Sequence, residues 1–357
     1  SSLVLSLFCL FTFAQPVHAQ ETPIHSRATV TAIVEEQELR AENKVGYIQK
    51  LEVARSDTNE KVHIVVGSTF QPIEASRKLR VGQSIVVSEL VENNQSTWVL
   101  VDSHFRLPTL GMLAIVFFLL VVGIARVQGV LSIVGMVVSF AVLLAFVVPQ
   151  ILTGANPLFI SILASMVIGA ASMYLSHGIN LKSHIAFGSI IVTLTVVTLL
   201  SSFVLQISGM QGTGSEEAVF LQIDPANKVN LQGLLLAGIV LGTLGILDDI
   251  CIAQVSVIKE LIQAKPSIQF KELLSRGLSI GKDHIASLVN TLILAYAGAS
   301  LPLFLLFVQN NTRPWWVVLN DEMIAEEIVR TLSGSIGLVL AVPLTTLLAA
   351  VMLKRKN

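Results

Sequence analysis

One apolar run, residues 231–258, constrains this chain more than any other stretch. It is long enough to cross a bilayer as a single helix, and its only charged residues are the adjacent Asp248 and Asp249. An ionised carboxylate in hydrocarbon costs about 3 kcal/mol or more unless it is protonated, paired or open to a polar cavity. Because of that cost, acidic residues inside a membrane segment point to a functional site.

The helical period places the two acids on different faces of this helix. Steps of three and four residues from Asp249 lead to small side chains, which predict a face for close helix packing: Gly238, Gly242, Gly245, Ala253 and Ser256. The same steps from Asp248 lead to bulkier residues such as Leu244 and Val255. We therefore expect Asp249 inside a helix bundle and Asp248, about 100° away, at its edge or nearer water.

The composition of the whole chain is typical of a membrane protein. Hydrophobic residues make up 53% and charged residues 13% of the 357, and the mean hydropathy is +0.75, whereas soluble domains are about one quarter charged. The net charge of −1 gives no attraction to nucleic acid. The two cysteines, Cys9 and Cys251, lie in apolar segments, so no disulfide framework or cysteine metal site is predicted. Seven apolar runs approach the length of a membrane span: 108–125, 129–148, 157–176, 184–207, 231–258, 285–308 and 331–353.

The first 106 residues differ from the rest. Residues 1–19 resemble a signal peptide, with an apolar core and small residues before a predicted cleavage site. Residues 20–106 alternate polar and apolar side chains, which predicts a small all-β domain with an OB-like barrel. The predicted strands are 28–34, 45–53, 62–66, 84–91 and 97–101. We expect residues 107–357 to form a seven-helix transmembrane domain.

The basic residues predict the orientation of the chain in the membrane. One set of alternate connections carries nearly all of them, including Lys182, Lys259 and Lys354, and the other set carries little beyond Lys228 and Arg313. Basic loops face the cytoplasm. The sequence therefore predicts a bacterial cytoplasmic-membrane protein with the β domain outside and the C-terminus inside.

A second polar cluster lies in the sixth run. Its members share about one helical face, and they are Asp283, Ser287, Asn290 and Gly298, with Thr291 adjacent. We expect this face to meet Asp249, because a carboxylate, an amide and hydroxyls would suit a coupling ion such as a proton, Na⁺ or a hard divalent cation. Asn290 and Thr291 would equally serve as hydrogen bonds between helices, and Asp249 as a buried neutral acid.

An enzymatic function has weaker support. Ser300 lies in a GxSx pattern, but no histidine follows it in the chain. Asp249 and Asp283 would be the pair for an aspartyl intramembrane protease, yet Asp283 lies at the membrane boundary. We interpret the chain as a non-enzyme and keep intramembrane hydrolysis as the third alternative.

Two of these motifs resemble the YibE/F family of bacterial multi-pass membrane proteins. The matching residues are Gly242, Gly245, Asp249 and Ser256 in the first motif, and 281–283, 290–296 and 300–302 in the second. Asp248 departs from the pattern, at a position that is otherwise apolar. The resemblance extends in layout over residues 25–353. It implies an exported β domain, a multi-span bundle and a permease-like role, without a substrate.

These observations give two main hypotheses. The first is a permease with Asp249 as its proton or cation site, supported by Asp248, Asn290, Thr291, Asp283 and Ser256. Helix sliding would occur at Gly238, Gly242, Gly245 and Gly298. The alternative is a non-transporting scaffold that displays the β domain to a partner. Besides the lipid bilayer, the expected partners are a second membrane protein or another copy of the chain.

Overall fold

The computed structural model describes residues 24–41, 44–92, 95–223, 228–309 and 313–354. The described chain divides into two units, with the boundary between Leu120 and Val121. The predicted signal peptide lies outside the described residues.

The alternating N-terminal residues form one antiparallel sheet. Its strands are β1 (His25–Ala41), β2 (Lys44–Arg55), β3 (Lys61–Val66), β4 (Ile73–Glu74), β5 (Ser84–Glu92) and β6 (Gln95–Asp102). The five predicted strands are therefore all present, and the two-residue β4 is an addition. The strand order is β3-β2-β1-β5-β6, and β4 pairs with β2.

The sheet curls into a partly open barrel. β1 is long enough to pair with both β2 and β5, and its register with β2 shifts between Val30 and Ala32 and between Ile33 and Glu35. Such bulges bend a strand and increase its twist. The outermost strands β3 and β6 approach each other without being hydrogen-bonded neighbours. The inward-facing residues form one core, which includes Leu51, Ile64, Ile85 and Trp98.

From Leu107 onward the described chain is helical. The helices are α1 (Leu107–Val142), α2 (Val148–Leu152), α3 (Pro157–His177), α4 (Leu181–Ser208), α5 (Glu216–Ile223), α6 (Leu231–Ala264), α7 (Phe270–Ala299), α8 (Leu301–Gln309), α9 (Trp315–Leu319) and α10 (Glu322–Lys354). Within the described residues, five helical stretches are long and apolar enough to cross a membrane: Leu107–Leu152, Pro157–His177, Leu181–Ser208, Leu231–Ala264 and Glu322–Lys354.

The first of these stretches contains two of the predicted spans. A straight helix of its 46 residues would be about 69 Å long, roughly twice the thickness of a bilayer core. The backbone is not helical at Arg126, where φ is 50° and ψ is −125°, so the predicted spans 108–125 and 129–148 lie on either side of this break. A π-helical segment, Leu143–Val147, joins α1 to α2 just before Pro149, which lacks the N–H that a regular helix would use.

The predicted sixth span, 285–308, is not one continuous helix. It comprises the end of α7 and the whole of α8, with a turn at Ser300 between them. Neither helix is among the five apolar stretches. The seven crossings and their insertion in a membrane therefore stay predictions, whereas the mainly helical fold of this part of the chain is confirmed.

Local sequence sets the ends of several helices. The side-chain oxygens of Asn156, Asn180 and Asn230 accept N–H groups in the first turns of α3, α4 and α6. Helix α4 ends at Gly209, whose φ of 67° is in the left-handed region that glycine adopts readily. These residues lie in the connections between apolar runs.

Helix α6 lies at the centre of the second unit, with α3, α4, α7 and α10 packed around it. Its inward face carries Leu244, Leu247, Cys251, Val255 and Ile258, all of which belong to the main apolar core. Burying such a face stabilises the bundle by roughly 1.5–3 kcal/mol for each large side chain where the surroundings are water; between helices in lipid the close packing itself contributes.

The connections of this bundle gather at two ends. At the first, the Lys354 ammonium donates to the Ile268 carbonyl at 2.7 Å, and the α3–α4 turn lies beside Lys259. At the second, the Gln232 amide donates to the Met210 carbonyl at 2.8 Å. We name the first, which holds Lys259 and Lys354, the lysine-rich end. The second, where Glu322 and Glu326 bind the same loop as Gln232, is the glutamate-rich end.

Candidate functional site

Asp248 is the acid that the structure places between helices. Its Oδ2 accepts a hydrogen bond from the Ser172 hydroxyl of α3. Its Oδ1 is buried and has no hydrogen-bond partner among the described residues. The groups that act on this carboxylate through their charge are Asp249 and His177. One oxygen of this carboxylate is therefore hydrogen-bonded, and the other is available to bind a proton or another cation.

Asp249, which we expected inside the bundle, is exposed. The helical count separates the two acids correctly, but the large apolar side chains around Leu247 and Cys251 decide which face is buried. Their burial brings Asp248 to α3 and leaves Asp249 on the outer side. No hydrogen bond or ion pair links Asp249 to another described residue.

The predicted small-residue face has little packed against it among the described residues. Gly238, Gly242 and Gly245 are all exposed. A Cβ added at Gly238 or Gly245 would meet no atom within 4 Å, and at Gly242 it would meet only the Tyr296 hydroxyl at 3.4 Å. Among the described residues these glycines therefore make no close helix contact, and the helix-packing role predicted for them stays a prediction.

The polar face of α7 also points away from the bundle. Asp283, Asn290, Thr291 and Gly298 are exposed, and a Cβ at Gly298 would meet nothing within 4 Å. The Thr291 hydroxyl donates to the Ser287 carbonyl of its own helix at 3.0 Å. The structure therefore does not bring these residues to Asp249, because α7 packs on the bundle through its opposite, apolar face.

A buried polar contact elsewhere joins α6, α7 and α10. The Gln254 amide is 1% exposed and donates to the Gly277 carbonyl at 2.9 Å and to the Thr346 hydroxyl at 2.7 Å. A Cβ at Gly281 would overlap Val342 and approach the Gln254 side chain. Sequence reasoning missed this contact, although the spacing of Gly277 and Gly281 is a small-xxx-small signal for helix packing.

Below Asp248, a polar cavity opens at the lysine-rich end. It has a volume of about 340 Å³ and is lined by His177, Asn180, Lys182, Ser183, Ile252, Ser256 and Lys259. Ile252 and Lys259 continue the helical face that carries Asp248, and Ser256 lies on the neighbouring face, below Asp249. The cavity therefore begins at Ile252, about one turn, or about 6 Å along the axis, from Asp248. Ser256, one of the predicted site residues, lines this cavity together with other polar side chains.

At the glutamate-rich end, two acids hold the loop that follows α4. Glu322 Oε1 accepts the backbone N–H groups of Gln211 at 2.7 Å and Gly212 at 3.2 Å. Glu326, only 5% exposed, accepts the N–H of Gly214 at 2.9 Å. These acids have a structural role that the sequence did not reveal.

The same end has an open cavity of about 610 Å³ beside Ser300. Glu216, Glu217, Glu326 and Glu327 line it, and Arg330 pairs with Glu327 at 2.6 Å. No histidine is among the residues that line it, so this cavity does not supply the Ser–His pair that the hydrolase alternative would use. Among the described residues, no group of three or more His, Cys, Asp or Glu side chains comes together in a way that would hold a metal ion.

Comparison with known proteins gives one match. The sequence model of the family described as YibE/F-like protein matches residues 113–355, which is more than half of the chain and begins after the last strand of the β sheet. No curated protein and no solved structure matched the chain. The match begins in α1 and includes every residue of the Asp248 site and both predicted motifs. The chain therefore belongs to the YibE/F-like protein family.

Proposed function

We propose that this protein is a permease in which Asp248 takes up and releases the coupling proton. The observation that carries the proposal is the buried, unpartnered Oδ1 of Asp248 in a helix that is long and apolar enough to span a membrane. A carboxylate in such a place is costly when ionised and acceptable when protonated. Cycling between these states would couple a proton to movement of the surrounding helices.

The first partner of this site, Ser172, suits proton exchange. A hydroxyl both donates and accepts, so it hydrogen-bonds an ionised or a protonated carboxyl group. A metal cation would need several more oxygen ligands than the single hydroxyl supplied here. The polar cavity that begins one turn away would be the route for a proton between this site and the lysine-rich end. This arrangement supports a proton rather than Na⁺ or a divalent cation.

The proposal moves the predicted site by one residue. Asp249 is the acid that the sequence analysis favours, but it is exposed and has no hydrogen-bond or ion-pair partner among the described residues. The matched pair Asp248→Asn and Asp249→Asn therefore distinguishes the two carboxylates. Both changes remove one charge and preserve the side-chain size.

The test is proton movement in proteoliposomes that contain a pH-sensitive dye and an imposed membrane potential. We expect Asp248→Asn to reduce the proton flux by about tenfold or more, as removal of an essential acid–base group does, and Asp249→Asn to leave it nearly unchanged. Infrared difference spectra between acidic and alkaline buffer provide a second measurement, in which Asp248→Asn should remove a carboxylic-acid band. Unchanged flux and an unchanged band in Asp248→Asn would contradict the proposal and favour the scaffold alternative.

A further inference from the structure

We infer that the cavity at the lysine-rich end is a binding site for a phosphate group, separate from the proton site at Asp248. Its ligand is an anion of the phosphate class, either free or carried on the headgroup of a lipid. The inference does not depend on transport, since it concerns only what occupies this cavity.

Two lysines from different helices face this one space. Lys182 follows the α4 cap, and Lys259 lies near the end of α6. Both side chains are partly buried, and both line the cavity. Like charges in a partly buried space repel each other more than they do in water. An anion between them would convert this repulsion into attraction.

Neither lysine has an acidic partner among the described residues. Lys265 at the same end differs, because its ammonium lies 3.0 Å from Glu272, and Arg276 lies 2.8 Å from the same carboxylate. The Lys265 ammonium holds the pKa of Glu272 below its usual range. The seven residues that line the cavity include no aspartate or glutamate. The positive charge of Lys182 and Lys259 is thus left for a ligand.

Other groups in the cavity also suit an anion. The Ser256 hydroxyl lines it and makes no hydrogen bond to another described residue, so it is free to donate. His177 contributes a ring nitrogen as a further donor. The first turn of the 28-residue helix α4 adds a partial positive charge. Lysine is a common phosphate ligand that acts as a point charge, and three kinds of donor here meet in about 340 Å³.

The charge of this cavity is opposite to that at the other end of the bundle. The cavity beside Ser300 has four glutamates and one arginine in its lining. A solute or headgroup that carries negative charge would be repelled there and attracted here. The proposed ligand is therefore specific to the lysine-rich end.

The experiment measures binding to the purified full-length protein by two probes. Inorganic phosphate is titrated by calorimetry in detergent. In parallel, the protein is placed in nanodiscs of phosphatidylcholine with a minor fraction of phosphatidylglycerol, and the retained lipid is identified by native mass spectrometry. The test variant is Lys182→Gln with Lys259→Gln. The matched control is Lys271→Gln with Lys282→Gln, which removes two exposed charges from α7.

We expect the test variant to weaken binding by about tenfold for each lysine and the control to bind normally. Loss of phosphate binding identifies a free anion as the ligand, and loss of phosphatidylglycerol retention alone identifies a lipid headgroup. Lys182→Arg with Lys259→Arg should restore binding, which separates lost charge from misfolding. If neither probe binds the wild-type protein, or if the control loses as much affinity as the test variant, the inference is overturned.

Discussion

The glycines of this bundle differ in what surrounds them, and that difference decides their role. Gly281 of α7 faces Val342 of α10 so closely that a methyl group would overlap it. Gly245 of α6 faces open space. Both lie inside helices, where glycine costs about 0.5–1 kcal/mol relative to alanine. Only the close approach at Gly281 compensates for that cost.

At the residue scale we predict opposite effects for two glycine-to-alanine changes. Gly281→Ala should lower the unfolding free energy by about 1–3 kcal/mol, because the added methyl group overpacks the contact between α7 and α10. Gly245→Ala should be neutral or slightly stabilising through helix propensity. The measurement is the thermal unfolding midpoint of each purified variant in detergent. If Gly245→Ala is the more destabilising, another helix covers the Gly245 face.

At the element scale, the β unit carries acids whose charge is tied to folding. Glu36 accepts hydrogen bonds from Lys78 and from the Gln49 amide, the second at 2.9 Å. The bond from Lys78 is the larger cause, and together they hold the pKa of Glu36 below its ordinary value of 4.5. Lys61 likewise lowers the pKa of Glu52. Groups with a depressed folded pKa stabilise the fold above their unfolded pKa, and this contribution is lost as pH falls through the folded value.

We therefore predict that the β unit loses stability below about pH 4.5, and that Glu36→Gln reduces this pH dependence. The variant should be less stable than wild type at neutral pH, and the difference should narrow in acid. Trp98 in the barrel core reports on unfolding by fluorescence once Trp315 and Trp316 are replaced by phenylalanine. Equal acid sensitivity with and without Glu36 would contradict this linkage.

The elements themselves could largely be predicted from the sequence. Alternation predicted all five main strands, because each has one face in the core. Apolar length predicted the helices, and Asn156, Asn180 and Asn230 show where three of them begin. The burial of Asp248 against α3 could not be predicted. Helical periodicity fixes only the angle between residues, and which face is buried depends on the helices that surround α6. The cavity of Lys182 and Lys259 was equally hidden, because it joins residues 77 positions apart.

At the scale of the whole molecule, the bundle has ends of opposite chemical character. The lysine-rich end gathers the α3–α4 turn, the α6–α7 turn and Lys354, whereas the glutamate-rich end gathers the loop held by Glu322 and Glu326. Lys182, Lys259 and Lys354, which the sequence assigns to one side of the membrane, thus lie at one end of the folded bundle. A proton site and an anion site on one face of α6 would let both charges leave or enter at that end together.

The last prediction concerns the number of crossings and their direction. We propose single cysteines at Thr69 in the β unit, Ile179 at the lysine-rich end and Glu217 at the glutamate-rich end, all exposed, in a background with Cys9 and Cys251 changed to serine.

If basic connections face the cytoplasm, a membrane-impermeant maleimide should label Glu217→Cys in intact spheroplasts and reach Ile179→Cys only after permeabilisation. Because α1 breaks at Arg126, the stretch Leu107–Leu152 should cross twice, which places Thr69→Cys on the same side as Glu217→Cys. Labelling of Thr69→Cys from the side of Ile179→Cys would instead mean that this stretch crosses once, and labelling of Ile179→Cys from outside would reverse the orientation of both proposed sites.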